Sequence, residues 1–109
     1  MQIFRVKDKV DQTGEYILGA EQTGSHACYL IYGTMGPREK ERLFRPGKGH
    51  EELLLVIKGG LEITGHLTGY LNEGQAVHLK GEETCQLENR SDETVVYVVS
   101  GGHSEHGHH

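Results

Sequence analysis

Residues 52–60 read ELLLVIKGG and contain one of the longest apolar runs of the chain. Every side chain from 53 to 57 is aliphatic, so the run is apolar on both faces of an extended chain. It is too short for a typical buried helix and stops at two glycines, which predicts a central β-strand covered on both sides. The glycine pair predicts a two-residue hairpin turn into a second strand at residues 61–66. That strand alternates cleanly, with Leu61 and Ile63 facing inward.

Short segments of the same kind recur along the whole chain. Strands are expected at residues 2–7, 16–18, 26–32, 38–45, 75–79, 84–89 and 94–100, with a loop at 19–25. Turn residues separate them at intervals of roughly 8–12 residues, which is typical of an all-β sandwich or barrel. The 16 glycines fall between the segments rather than in one linker. The sequence therefore predicts one all-β domain over residues 1–100.

Composition excludes several classes of function. The 109 residues suffice for one domain, and 11 basic against 16 acidic residues give a net charge of −5. This balance argues against a nucleic-acid surface. The longest apolar runs are five residues, so no segment is predicted to span a membrane. With two cysteines and no leader-like start, we expect a cytoplasmic domain rather than a disulfide-rich secreted one.

The spacing around the opening stretch resembles the two conserved motifs of the cupin superfamily. Glu52, six residues and Gly59 match the first motif. Residues 71–79 are similar to the approach of the second motif, and Cys85 followed by three residues and Asn89 is similar to its end, where cupins have histidine. The resemblance covers roughly residues 44–100 and implies a cupin double-stranded β-helix, a jelly-roll barrel. It implies little about activity, because cupins perform many unrelated functions.

The first motif departs from the pattern of metal-binding cupins. Those proteins carry a His-x-His three or four residues before the glutamate. Here the corresponding positions are Pro46 and Lys48, or Arg45 and Gly47, and none is histidine.

A different metal-ligand set remains available. His50 and Glu52 are two residues apart and share one face of an extended strand. Together with Cys85, which the resemblance directs inward, they form a candidate three-ligand site for Zn, Ni, Fe or Mn in the barrel. The structural alternative is an ion-paired or solvated Glu52, a turn residue at His50, and a small buried hydrophobe at Cys85.

Two further patterns have a functional and a structural interpretation. His26 and Cys28 share one face of a predicted strand. They could form a second metal site, but one core residue beside one residue at the rim is the more common arrangement. Arg38, Lys40 and Arg42 alternate and would form a cationic stripe if residues 38–44 are extended. Such a stripe could hold an anionic substrate, but pairing with glutamates on a neighbouring strand is the more common arrangement.

The C-terminal residues 101–109 read GGHSEHGHH. This composition cannot build a core and predicts a disordered tail. Its imidazoles form a candidate labile site for nickel, zinc or copper, made of His103, His106, His108 and His109.

Three classes of function fit these observations. The leading one is a small cupin barrel that binds a metal ion, a small molecule or both in its mouth. The second is a metal-dependent oxygenase, isomerase or lyase with Glu52 as ligand or base. The third is a metal-free sensor or assembly module whose pocket has degenerated.

The expected partner is a second copy of the chain. An apolar N-terminal strand at residues 2–7 would have an edge to cover. The strands at 53–57 and 95–99 are apolar on both faces and indicate more buried surface than one thin barrel supplies. Single-domain cupins usually resemble two-fold dimers, which leads us to expect a homodimer.

Overall fold

The computed structural model describes residues 1–104. They form a 3-10 helix at Val6–Lys9, a single-turn α-helix, α1, at Ala20–Thr23, and nine β-strands. The strands are β1 Glu15–Leu18, β2 Cys28–Met35, β3 Arg42–Phe44, β4 His50–Lys58, β5 Leu61–Gly65, β6 Gly69–Leu71, β7 Ala76–Lys80, β8 Cys85–Glu88 and β9 Val95–His103. The all-β prediction is confirmed, and no helix of the described residues is long and apolar enough to cross a membrane.

The strands form two antiparallel sheets that enclose one core. The large sheet has the order β1-β2-β9-β4-β7, and the small sheet has the order β3-β8-β5-β6. Alternate side chains of both sheets point into a shared apolar interior, as expected when two sheets pack face to face. The core includes Leu54, Val56, Tyr97 and Val99 from the large sheet and Phe44, Leu61, Ile63, Cys85 and Leu87 from the small sheet.

Strand β4 is central, as predicted, but it is not covered on both faces. Leu54 and Val56 are fully buried on its inner face. Leu53, Leu55 and Ile57 point the other way and are 51%, 37% and 45% exposed. The expectation of double cover is therefore wrong for the described residues, because no other segment of them lies over this outer face.

The glycine pair does not make a hairpin between paired strands. Strand β4 belongs to the large sheet and β5 to the small sheet, so Gly59 and Gly60 carry the chain from one sheet to the other. Gly59 has φ +86, which favours glycine. A side chain at Gly60 would overlap the ring of Tyr70. The glycines end β4 as the sequence predicts, but the hairpin prediction is wrong, because alternation alone does not reveal which sheet a strand joins.

The N-terminal prediction is also wrong. Residues 2–7 form no strand; Ile3 is 74% exposed, and the chain turns into the 3-10 helix that lies against β1. The predicted loop at 19–25 contains α1, where the Gly19 N–H donates to the Gln22 side chain at 2.7 Å. The turn ends at Gly24 in the left-handed conformation. Local hydrogen bonds thus compete successfully with weak strand patterns.

Two other boundaries shift. Only Arg42–Phe44 of the predicted strand at 38–45 is extended, since Arg38 and Glu41 have φ of 64 and 66 and interrupt it. Strand β9 continues through His103, so residues 101–103, expected in the tail, complete the large sheet. The remaining predicted tail ligands, His106, His108 and His109, lie outside the described residues.

Candidate functional site

One open end of the barrel forms a basin. Neighbouring strands of the large sheet run antiparallel. The last residues of β1 and β9 therefore lie beside the first residues of β2 and β4, at one end of the sheet. Between them lies a basin of about 350 Å³, which we call the mouth basin. Its lining includes Ile17, Ser25, His26, Tyr29, His50 and His103.

A smaller cavity of about 90 Å³ lies between the two sheets, and we call it the inner cavity. It is lined by residues of both sheets, among them Glu15, Phe44, Glu52, Leu87 and Tyr97. Two carboxylates therefore border the same small space, and burying an ionised group without a partner is costly.

Tyr29 and Glu52 lie between the two spaces. Glu52 is 6% exposed and lines the inner cavity, whereas Tyr29 lines the mouth basin. The Tyr29 hydroxyl donates a hydrogen bond to Glu52 Oε2. The Tyr29 hydroxyl therefore links the mouth basin to a buried carboxyl.

A glycine makes this contact possible. Tyr29 on β2 and Glu52 on β4 are each in register with Gly101 on the intervening strand β9. Two strand spacings are about 9.5 Å, so the tyrosine must lie across the strand between them. A side chain at Gly101 would overlap the Tyr29 ring. We refer to Tyr29, Gly101 and Glu52 as the mouth row.

The same arrangement occurs once more, deeper in the barrel. Tyr97 on β9 crosses Gly33 on β2 and donates a hydrogen bond to Glu15 on β1. A side chain at Gly33 would overlap the Tyr97 ring. We refer to these three residues as the inner row. Arg42 joins it, with Nη1 donating to the Tyr97 hydroxyl at 2.8 Å and lying 3.9 Å from Glu15 Oε2.

The mouth row has no such cation. Among the described residues, no lysine or arginine forms an ion pair with Glu52; Arg45, which lines the same inner cavity, pairs with Glu82 instead. The groups that influence the pKa of Glu52 are Tyr29, His50 and Glu15. Burial raises the pKa of Glu52 above its usual range, and the hydrogen bond from Tyr29 and the proximity of His50 offset this only in part. Burial, followed by the adjacent carboxyl, also raises the pKa of Tyr29.

The predicted cationic stripe is not formed. Arg38 lies on the surface, where its Nε is 2.8 Å from Asp92. Arg42 turns inward, and its Nη2 donates to Glu39 at 2.6 Å and to the Thr34 carbonyl at 3.1 Å. The left-handed residues that shorten β3 separate these side chains. Both arginines form ion pairs, but not with glutamates of a neighbouring strand as expected: Arg38 pairs with Asp92, and Arg42 with Glu39 of its own segment.

The three predicted barrel ligands are divided between the two sheets. His50 and Glu52 share the inner face of β4, as the spacing predicts. Cys85 lies on β8 of the small sheet and is 1% exposed. Its sulfur accepts a hydrogen bond from the Leu67 N–H at 3.3 Å and lies 3.6 Å from the Leu67 carbonyl. Cys85 thus occupies the place of a small core residue.

The donors of residues 1–104 do not fit a cupin metal centre. No three His, Cys, Asp or Glu side chains within this range are grouped so that they could hold a metal ion. The first-motif positions carry Pro46 and Lys48, and the thiol of Cys85 is engaged with the backbone. We therefore assign no chemical step to a metal at Glu52.

Residues that the sequence assigned to separate sites meet in the mouth basin. His50 and His103 have ring centroids 5.1 Å apart, and Tyr29 lies edge-on to His50 at 5.7 Å. His26 and Cys28 line the same basin, and both cysteines, Cys28 and Cys85, are free thiols.

Sequence reasoning missed both rows. It identified Glu52 but not Tyr29, Tyr97 or Glu15, and it placed Arg42 in a surface stripe. The available signal was a glycine inside an apolar strand pattern, as at Gly33, which indicates a close approach by another group.

No family model and no curated protein matches the chain by sequence. Solved structures do match its fold. A Cupin 2 conserved barrel domain protein from Salinispora arenicola aligns with a TM-score of 0.76 and 15% identity, over 95% of this chain and 90% of that one. An oxalate oxidase aligns with a TM-score of 0.75 and 13% identity, over 93% of this chain and 59% of that one.

A third match is a sugar phosphate isomerase of the cupin superfamily from Silicibacter pomeroyi, with a TM-score of 0.64 and 16% identity over 94% of this chain and 68% of that one. These similarities show that the chain has the cupin double-stranded β-helix fold, which confirms the prediction made from Glu52–Gly59 and Cys85–Asn89. At these identities they show the fold alone, because cupin barrels perform unrelated functions.

Proposed function

We propose that this cupin-fold protein binds a small polar organic molecule in the mouth basin, with the Tyr29–Glu52 pair as the recognition group. The observation that carries the proposal is the burial of Glu52 without a paired cation, at the boundary between the basin and the inner cavity. A perturbed carboxyl next to an open basin is the kind of group that marks binding sites.

The pair can hydrogen-bond in both directions. Tyr29, which lines the basin, makes the ligand contact. When Glu52 is protonated and donates to Tyr29, the tyrosine hydroxyl is free to donate to a ligand carbonyl or carboxylate oxygen; when Glu52 is ionised and accepts the tyrosine proton, the tyrosine oxygen accepts from a ligand hydroxyl. His50 and Tyr29 add ring surfaces to the basin. A basin of about 350 Å³ lies in the range of small-molecule sites. The expected ligand class is therefore a small hydroxylated or carboxylated compound.

The same carboxyl supports a second candidate function, an isomerase or lyase that transfers a proton through Glu52. A carboxyl whose pKa is raised by burial is suited to general acid–base catalysis. Two solved structures of the same fold are an oxalate oxidase and a sugar phosphate isomerase. A metal-dependent oxygenase has less support, because the donors of residues 1–104 do not converge.

The test measures binding of defined probes to isotope-labelled protein by NMR. Oxalate, malate and glucose 6-phosphate serve as probes, and one of them is expected to shift resonances of the mouth basin. Tyr29→Phe and Glu52→Gln should weaken that binding at least about tenfold. Tyr70→Phe, which alters an exposed tyrosine on β6, is the matched control and should have no effect.

Three outcomes would contradict the proposal: no binding of any probe, shifts outside the basin, or equal affinity in all variants. Conversion of a bound probe by the parent but not by Glu52→Gln would favour the enzyme over the binder. A pocket that binds none of the probes would favour the third class, a sensor or assembly module.

We also propose that two copies of the chain associate through the outer face of the large sheet. Leu53, Leu55 and Ile57 are exposed there beside the half-buried Val96 and Val98. The five strands of this sheet hold 35 residues. At a rise of about 3.3 Å per residue and a strand spacing of about 4.8 Å, the face presents roughly 550 Å². A standard interface buries about 800 Å² per partner, so a self-associating face accounts for this apolar surface.

Leu55→Lys should shift the chain toward monomer in sedimentation velocity experiments. Ile3→Lys, at an exposed apolar residue far from this face in sequence, is the control and should leave the assembly unchanged. A parent chain that sediments as a monomer at every concentration would contradict this association.

A further inference from the structure

His50 and His103 are register partners on neighbouring strands. Strands β4 and β9 pair them directly across the ladder, and their ring centroids are 5.1 Å apart with a 33° tilt. The backbone around them is fixed. The Ser104 N–H donates to the Gly49 carbonyl at 2.8 Å, and the Gly81 N–H donates to the His50 carbonyl at 2.8 Å. The two rings are therefore held together at the rim of the mouth basin by the sheet itself.

One atom of this pair lacks a partner. His50 Nδ1 is buried and makes no hydrogen bond within residues 1–104. Buried polar atoms are nearly always satisfied, and an exception calls for an explanation. A neutral imidazole nitrogen offers a lone pair, which a proton donor or a metal cation can use.

The ring separation matches that of two histidines bound to one ion. Zinc binds imidazole nitrogen at about 2.0–2.1 Å in tetrahedral geometry, which places the two ring centroids roughly 5 Å apart. Offset packing of aromatic rings gives a similar separation. Ring packing alone, however, leaves the His50 nitrogen unsatisfied, whereas a bound cation satisfies it.

We infer that His50 and His103 form a two-histidine site for a late first-row divalent cation, of the class Zn²⁺, Ni²⁺ and Cu²⁺. Imidazole is a preferred ligand of these ions. The described residues supply no third His, Cys, Asp or Glu to the group, so water or an exogenous donor completes the coordination.

This site differs from the cupin metal position and from both predicted ligand sets. Neither His50 nor His103 occupies a histidine position of the two cupin motifs. The sequence grouped His50 with Glu52 and Cys85, and grouped His103 with the C-terminal histidines. Strand pairing brings one member of each set together. Cation binding by His50 and His103 is independent of the proposed binding of an organic ligand in the mouth basin.

The test uses full-length protein in which His106, His108 and His109 are all replaced by glutamine, so that these histidines cannot compete for the ion. Zinc chloride is titrated into this parent by calorimetry at neutral pH. One zinc ion per chain is expected to bind. His103→Gln should weaken binding at least about tenfold, because one of two protein ligands is lost.

His103 is exposed, so its substitution is compatible with folding, and His50→Gln serves as the second variant. His66→Gln, at another histidine that is partly exposed, is the matched control and should bind zinc like the parent. Imidazole NMR resonances of the parent should shift on zinc addition for His50 and His103 but not for His66.

Two results would overturn the inference. One is a parent that binds no zinc, which would assign any binding by the natural chain to its last histidines. The other is an equal zinc affinity of the parent and the His103→Gln variant.

Discussion

The mouth row and the inner row have the same geometry and different surroundings. In each, a tyrosine crosses a glycine and donates its hydroxyl proton to a glutamate two strands away. The inner row has Arg42 at 2.8 Å from its tyrosine, whereas the mouth row has no cation and borders an open basin. The two rows thus differ in one arginine, which contacts the tyrosine and the glutamate of the inner row and has no counterpart in the mouth row.

The comparison also separates stability from function. The tyrosine of the inner row is fully buried, while Tyr29 is only half-buried. We therefore expect damage to the inner row to destabilise the fold and damage to the mouth row to affect the site.

The largest effect is expected from adding a methyl group under each tyrosine. Gly33→Ala should lower the free energy of unfolding by about 3 kcal/mol, because the added methyl overlaps the fully buried Tyr97 ring, whose hydroxyl is held by Glu15 and Arg42. Gly101→Ala should cost about 1 kcal/mol, because Tyr29 can swing toward the basin. Urea denaturation measures both values.

The control for these glycine variants is Gly69→Ala, at a strand glycine with nothing within 4 Å of the added methyl. It should be nearly neutral. Equal destabilisation by Gly33→Ala and Gly101→Ala would remove the distinction between the rows.

Replacing Arg42 tests whether this cation stabilises the buried polar groups of the inner row. Arg42→Met should lower the free energy of unfolding by about 2 kcal/mol, since Glu15 and the Tyr97 hydroxyl lose a partner in a partly buried site. Arg38→Met, at the exposed pair with Asp92, should have no measurable effect. Similar stabilities of the two variants in urea would show that Arg42 is not the element that distinguishes the rows.

A smaller effect is expected from the titration of Glu52. Its pKa is raised in the folded state, so the folded protein binds this proton more tightly than the unfolded chain. Stability from this group is present below the unfolded pKa and is lost as the pH rises through the folded pKa. Relative to Glu52→Gln, the parent should therefore lose stability as the pH increases across this window. Urea denaturation of both proteins over a pH series checks the sign, and a pH-independent difference would contradict it.

The sequence predicts the fold better than it predicts the site. The aliphatic run before Gly59 and the spacing to Asn89 are enough to indicate a cupin barrel, because period-two alternation and turn residues act locally. The local signals fail where neighbours in space decide the outcome: Gly59 connects different sheets, and residues 101–103 extend β9 because β2 and β4 flank it.

The geometry of the site depends on strand order more than the fold class does. The position of Glu52 and the shared face with His50 follow from residue spacing. Its contact with Tyr29 requires β9 to lie between β2 and β4, with glycine in register at position 101. The pairing of His50 with His103 requires the same order. No periodicity in the chain contains that information.

The central claim is that burial raises the pKa of Glu52 above the usual range of a glutamate. The most direct measurement is the pH titration of its side-chain carboxyl carbon by NMR, assigned by comparison with Glu52→Gln. The account predicts a midpoint above the reference pKa of about 4.3. It also predicts that the pKa of Glu52 rises further in Tyr29→Phe. The hydrogen bond from Tyr29 lowers this pKa in the parent, and the variant removes that bond. A midpoint at or below the reference value, unchanged in Tyr29→Phe, would contradict it.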